Sequence, residues 1–379
     1  MATLTFMNQT LFDHGVSSQL GEVLKMHGIE RPLLCTDRGL VDLGMVRDVL
    51  STLGNEAAPT VYDGTPENPT QAAVEEAVAK YREADCDGVV ALGGGSSMDL
   101  AKAVALAVTH DGDLLEYTAG LGGAEKIGPV APLIAIPTTS GTGSEVSSGA
   151  VIIMHNGEKL ILISKQLVPR TAVCDPSLTL GLPARLTAAT GMDAMTHCIE
   201  ALLSPEVNPP AEAVACDGIE RGIRDGHLLK AVQDGSDKDA RWHMMMAATE
   251  GAMAFSKGLG AVHSMSHACG ADQSLKLHHG TLNAVFLPTI LEFNRDHVGN
   301  KYERLNRALG ATAEADPAEF IRALNADLGL PANLAEMGVQ RDAVPELAQH
   351  AAKDVCNFTN PRPVTAEEYE VLFEQALAS

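Results

Sequence analysis

Five short apolar runs rich in Val, Ile and Leu, "PLLCTD", "APTVYD", "GVVALGGG", "PLIAIPTTS" and "TAVCDP", alternate with helical patterns up to about residue 180, and then they stop. Such alternation favours a mostly parallel sheet covered by helices, because two parallel strands need a crossover long enough to hold a helix. Past "DPSLTLGLP" (Asp175 to Pro183) the chain changes to long Ala, Met, Leu and Glu segments broken by Gly and Pro, which read as helices alone. The expected fold class is α/β: a Rossmann-like parallel-sheet domain over residues 1–180, then an all-helical carboxy-terminal domain over residues 181–379. A chain of 379 residues suits two such domains. The stretch "ENPTQAAVEEAVAKYREA" predicts one helix in detail, with Asn68 as cap, Pro69 in the first turn, Gln71 at the capping-box position and Val74, Val78 and Tyr81 as the buried stripe.

A formal net charge of −22 excludes nucleic acid and anionic membranes as partners, since either would be repelled along its length. Small molecules are the expected partners. The segment "MATLTFMNQTLFDHG" lacks the apolar core and basic start of a signal peptide, and no later stretch approaches a membrane span, so a cytoplasmic protein is expected. Seven cysteines without a C-x-x-C pair read as reduced thiols in or near the core. The apolar "LTFMNQTLF" suits pairing at a sheet edge, which points to a homodimer or higher homo-oligomer.

Two glycine-rich turns follow strands. In "GVVALGGGSSMDLAK" an apolar run enters Gly93, Gly94, Gly95, Ser96 and Ser97 and then a helix. Bare amides and the positive end of a helix dipole at such a turn suit a pyrophosphate, although the spacing is not G-x-G-x-x-G and a purely structural turn fits as well. In "IAIPTTSGTGSEV" the second turn offers Thr138, Thr139, Ser140, Gly141, Thr142 and Gly143. Two such turns in one α/β domain favour a dinucleotide. Asp37, at the end of "PLLCTD", stands where a carboxylate accepts from an adenine-ribose diol and repels a 2′-phosphate, which selects NAD over NADP. An ordinary helix cap before "RGLVDLG" is the competing role for Asp37.

In "LTAATGMDAMTHCIEALLS" the helix that buries Met192, Met195, Ile199 and Leu202 also carries Asp193 and His197 one turn apart. A carboxylate among methionines needs compensation, either from a cation shared with His197 or from a local Asp–His hydrogen bond. The stretch "GLGAVHSMSHACGADQSLKLHHGTLNA" repeats the one-turn spacing in His263 and His267 and adds His278 and His279. One carboxylate with three imidazoles makes a first shell for a divalent ion, and these ligand types suit Fe(II) and Zn(II) alike.

"GGGSSMDLAK", "PTTSGTGSEV", "DPSLTLGLP", "GMDAMTHCIEA" and "HSMSHACG…HHGTLNAVFLP" resemble the iron-containing (group III) alcohol dehydrogenase family, in order along nearly the whole chain. The resemblance implies a dinucleotide domain, a helical metal and substrate domain, and an Fe(II) ion in a cleft. By position it makes Asp193, His197, His263 and the histidine before Gly280 the ligands, with His279 preferred to His278. His267 would be the proton-relay histidine near the nicotinamide. Gly94, Gly95, Ser96, Asp99, Thr138, Thr139, Thr142 and Lys159 would line the NAD site. The implied reaction is reversible hydride transfer between NAD(H) and a small alcohol or aldehyde, with the metal polarising the carbonyl. The segments "GTGSEVSSGAVII", "NPPAEAVACDGIERG", "GAMAFSKGLGAVHS" and "LHHGTLNAV" narrow the likeness to members acting on 4-hydroxybutyrate and succinic semialdehyde, for which Lys159 or Lys165 would meet the distal carboxylate. An unselective short-chain alcohol dehydrogenase fits the same motifs, and a metal-dependent lyase of the dehydroquinate synthase kind fits the same architecture.

Overall fold

The computed structural model describes residues 8–53, 59–270 and 277–378. These form two compact units: residues up to Thr139 together with Gly143–Thr179, and Leu180 onward together with Ser140–Thr142.

The first unit is built on a six-stranded sheet with the order β1-β8-β5-β4-β2-β3. The strands are β1 (Gln9–Phe12), β2 (Pro32–Cys35), β3 (Thr60–Tyr62), β4 (Gly88–Gly93), β5 (Leu133–Pro137) and β8 (Thr171–Cys174), and every pairing is parallel. β6 (Gly149–Ile153) and β7 (Lys159–Ile163) add an antiparallel hairpin. Alternate side chains feed two cores. Leu33, Cys35, Val89, Ala91, Leu133 and Ala135 pack on one face, while Leu34, Val90, Leu92, Ile134, Ile136 and Val173 pack on the other. Burial on both faces is why these strands read as continuous apolar runs.

β1 comes from the segment expected to seek a sheet edge, and it pairs within its own sheet, with Gln9 opposite Thr171. The helix Gln71–Glu83 forms as its stripe predicts, but its cap is Thr70, whose side chain accepts from the Ala73 amide at 3.2 Å. The expected cap, Asn68, instead accepts from Lys159 Nζ at 3.0 Å. Pro69 and Thr70 are held extended beside Ile153, whose amide donates to the Pro69 carbonyl, so the helix starts after them.

In the helical unit the central element is Ala184–Leu203, which is buried on almost every face. Helices Pro209–Ile219, Lys238–Ala254 and His279–Asn294 pack against it. Its last carbonyls are met by a buried cation, because Lys257 Nζ donates to Ala201, Leu202 and Ser204 at 3.0, 3.3 and 2.6 Å. The His279–Asn294 helix crosses Ala184–Leu203 at Gly280, where an added Cβ would lie 2.1 Å from the Ala189 carbonyl oxygen. Glycine is required there for the close approach.

Candidate metal and cofactor sites

Asp193 and His197 stand one turn apart on Ala184–Leu203, 3% and 4% exposed. The helix Ala261–Gly270 brings His263, and His279 is the first residue of His279–Asn294. The Nε2 atoms of His197, His263 and His279 lie 3.7, 3.9 and 3.5 Å from Asp193 Oδ1. These distances exceed a hydrogen bond but match the donor spacing around a single ion whose bonds are about 2.0–2.2 Å long. Asp193, His197 and His263 therefore gather donors that fit one divalent transition metal, and His279 Nε2 stands beside them, 3.5 Å from Asp193 Oδ1. His278 precedes the helix in an extended conformation, and the imidazole that faces Asp193 is that of His279.

Burial sets the protonation of this set. It lowers the pKa of His197 to about 4 and that of His263 to about 3, with the Asp193 charge opposing in both. Both rings are then neutral at pH 7, as metal ligands must be. Glu200, two turns along the same helix from Asp193, places Oε2 2.5 Å from His263 Nδ1 and accepts the Val262 amide at 2.8 Å through Oε1. Burial raises its pKa to about 7, against the Val262 and Gly260 amides. The contact fixes the His263 proton on Nδ1 and aims the Nε2 lone pair at Asp193. Asn283 Nδ2 donates to Asp193 Oδ1 at 2.7 Å. The sequence reading passed over Glu200 and Asn283, although each was detectable as a further polar residue on the ligand-bearing face of an apolar helix.

His267 has a different carboxylate partner. Its Nδ1 lies 3.0 Å from Asp354 Oδ2, and its ring stacks on His279 with centroids 5.4 Å apart. Burial works to raise the Asp354 pKa, but the His267 contact and the Cys356 amide outweigh it and hold the carboxyl below its usual range. The result is a partly exposed imidazole oriented by an ionised carboxylate. Asp354 lies 87 positions from His267, and no local pattern announces it.

In the α/β unit, β4 ends at Gly93 with φ +153, where a Cβ would meet Ser97 Oγ at 2.5 Å. The helix Gly95–Ala107 starts immediately, with Gly94 as a cap that lacks a side chain. Its first amides are left to a ligand or to solvent. Ser96 Oγ donates to the Glu67 carbonyl at 2.5 Å. Asp99 accepts from Ser144 Oγ and the Val151 amide at 2.8 and 3.0 Å, tying this helix to β6. Lys102, absent from the expected site, is fully buried and donates to Ser144, Ser147 and Gly149. Burial pushes its pKa down to about 8, with Asp99 opposing. Thr138 donates its amide to the Gly93 carbonyl, and Thr139 lies against Gly94. Lys159 is held by Asn68. Asp37 does cap the helix Arg38–Asp42, with Oδ1 accepting the Leu40 amide at 3.0 Å. Thr142 belongs to the Ser140–Thr142 segment of the helical unit, and its Oγ1 is buried without a hydrogen-bond partner.

A parallel sheet with an open helix start, followed by helices that gather one carboxylate and imidazoles, suits a metal-dependent oxidoreductase or a lyase of the same build, and the family models decide between them. The family "Iron-containing alcohol dehydrogenase" matches residues 8–176, and "Fe-containing alcohol dehydrogenase family, C-terminal" matches residues 187–377. The chain is 49% identical to 4-hydroxybutyrate dehydrogenase of Cupriavidus necator over the whole of both chains. It is 34% identical to lactaldehyde reductase of Escherichia coli strain K12, covering 99% of this chain and 100% of that one. A crystal structure of 1,3-propanediol oxidoreductase superposes with a TM-score of 0.94 at 35% identity over the full length of both chains. The chain belongs to the iron-containing alcohol dehydrogenase family and is an enzyme of that type. The lyase alternative falls with this assignment. Among the described residues no helix is long and apolar enough to cross a membrane, and none of the seven cysteines is joined in a disulfide.

Proposed function

We propose that the enzyme interconverts 4-hydroxybutyrate and succinic semialdehyde with NAD(H), using Fe(II) held by Asp193, His197, His263 and His279. The observation that carries this reading is the convergence of three imidazole nitrogens on Asp193 Oδ1. The bound ion supplies Lewis acidity toward the substrate oxygen and NADH supplies the hydride. Glu200 keeps the His263 proton away from the ligand nitrogen. Asp354 holds the Nδ1 proton of His267, so that Nε2 gives and takes the proton of the substrate oxygen. The open amides at Gly94, Gly95 and Ser96 bind the pyrophosphate, with Asp99, Thr138, Thr139 and Lys159 around the cofactor. Asp37 adds the ribose diol to the amide it already caps. The preference for succinic semialdehyde is supported by the 49% identity to a 4-hydroxybutyrate dehydrogenase. A homo-oligomer and a cytoplasmic location complete the reading, the first supported by the edge position of β1 and the second by seven cysteines outside any disulfide.

The test is NADH oxidation by anaerobically purified, iron-loaded protein with succinic semialdehyde, acetaldehyde and 3-hydroxypropanal, each with and without a chelator. The semialdehyde should give the highest kcat/KM, and the chelator should remove all turnover. Chelator-resistant oxidation would refute the metal role, and equal kcat/KM for the three aldehydes would refute the substrate.

A further inference from the structure

A second histidine cluster lies in the helical unit. His227 opens the helix His227–Gln233, while Asp239 and His243 stand one turn apart near the start of Lys238–Ala254. The two Nε2 atoms lie 3.6 and 3.8 Å from the Asp239 carboxylate oxygens, and the rings stack with centroids 4.0 Å apart. Both carboxylate distances are too long for hydrogen bonds, yet they match the 3.5–3.9 Å span at Asp193. His227 Nδ1 lies 2.8 Å from the Arg221 carbonyl and donates to it, which in the neutral ring leaves Nε2, the atom 3.6 Å from Asp239, as the ligand nitrogen. A backbone carbonyl on the far nitrogen is the usual support of a metal-bound imidazole.

We propose that His227, Asp239 and His243 form a second site for a Zn(II)-class ion, separate from the centre at Asp193. Two imidazoles and one carboxylate select a borderline transition metal over Mg(II) or Ca(II), which prefer all-oxygen shells. The Asp239 side chain is 80% exposed, so the site opens to solvent and the ion keeps water as its remaining ligands. Arg221 is the group that opposes binding. Its Nη1 donates to His243 Nδ1 at 3.0 Å, which places that ring's own proton on Nε2. Binding moves the proton from Nε2 to Nδ1 with no net release, and Nη1 must turn away. Arg221 Nε stays anchored to Asp217 and Glu250, so only the far end of the guanidinium moves and the Asp217 carboxylate remains its counter-charge. An ion here also ties together two consecutive helices, the second of which packs on the helix carrying Asp193 and His197.

The experiment is equilibrium dialysis of metal-stripped full-length protein against Zn(II) in excess Mg(II), with bound zinc counted per chain. The wild type should hold two equivalents, and Asp239→Asn and His243→Gln should each weaken the second at least tenfold. His197→Ala should lose the buried equivalent and keep this one, which separates the outcome from any failure of the oxidoreductase reading. Saturation of the wild type at one equivalent that His197→Ala abolishes overturns the site, as does zinc binding unaltered in Asp239→Asn or in folded His243→Gln. If His243→Gln does not fold, Asp239→Asn, altered at a side chain that stands in solvent, decides the matter alone.

Discussion

Asp193 is 3% exposed and sits between Met192 and Met195 on its helix, so its charge is tolerable only with partners. Replacing His197 or His263 with Ala should remove bound iron and turnover together, as read by metal analysis beside NADH oxidation. His267→Ala should keep the iron and lower kcat by about 10²–10⁴-fold, the usual worth of a positioned acid or base. Equal metal loss in all three variants would sink the relay role. Glu200→Gln should weaken metal affinity by about 10–100-fold, because the His263 tautomer is no longer enforced. Another carboxyl governs alkaline stability. Burial, then a hydrogen bond with Asp217, raises the Glu250 pKa to about 9, so the folded protein holds a proton that the unfolded chain has given up. The stability from that proton is full below the unfolded pKa of 4.5, declines as pH rises, and is gone above about 9. The wild-type unfolding free energy should therefore fall between pH 5 and about 9, by up to about 1.4 kcal/mol per pH unit from this group, with the thermal midpoint falling alongside, and Glu250→Gln should flatten the fall.

At the scale of elements, the ligand-bearing helices are set by two contacts that sequence periodicity does not reveal. Gly280→Ala would drive a Cβ against the Ala189 backbone, costing about 1–3 kcal/mol and displacing His279 from Asp193, so it should lower the thermal midpoint and the iron content together. Lys257→Met would strip the Ala201 and Leu202 carbonyls at the end of Ala184–Leu203, leaving Ser204 to Lys301, and would leave Glu212, 3.1 Å from Nζ, without that partner. A loss of about 3 kcal/mol in urea unfolding is expected, since each buried group left unmet costs about 1–3 kcal/mol. The start of Gln71–Glu83 shows the same limit of local reading. Asn68, Pro69 and Gln71 spell a capping box, yet pairing of residues 69–70 with Ile153 delays the helix and hands the cap to Thr70.

Across the whole molecule, the residues proposed for the cofactor, other than Thr142, lie in the α/β unit and the proposed metal ligands in the helical unit. His197→Ala should accordingly bind NADH with an affinity within a few-fold of wild type by fluorescence titration. A large loss would show that the dinucleotide turns depend on the metal. Strand runs buried on both faces, the change to helices after Pro183, the one-turn pair Asp193 and His197 and the glycine turn after β4 are all legible in the sequence by itself. Each is a local pattern, written by the strand and helix periods or by the need for glycine. Tertiary structure alone decided that Glu200 meets His263, that Asp354 meets His267, that His279 rather than His278 faces Asp193, and that Asp99 is bonded to the β6 strand. Those pairings join residues far apart in the chain, and only packing, through approaches such as Gly280 on Ala189, brings their polar atoms within reach of one another.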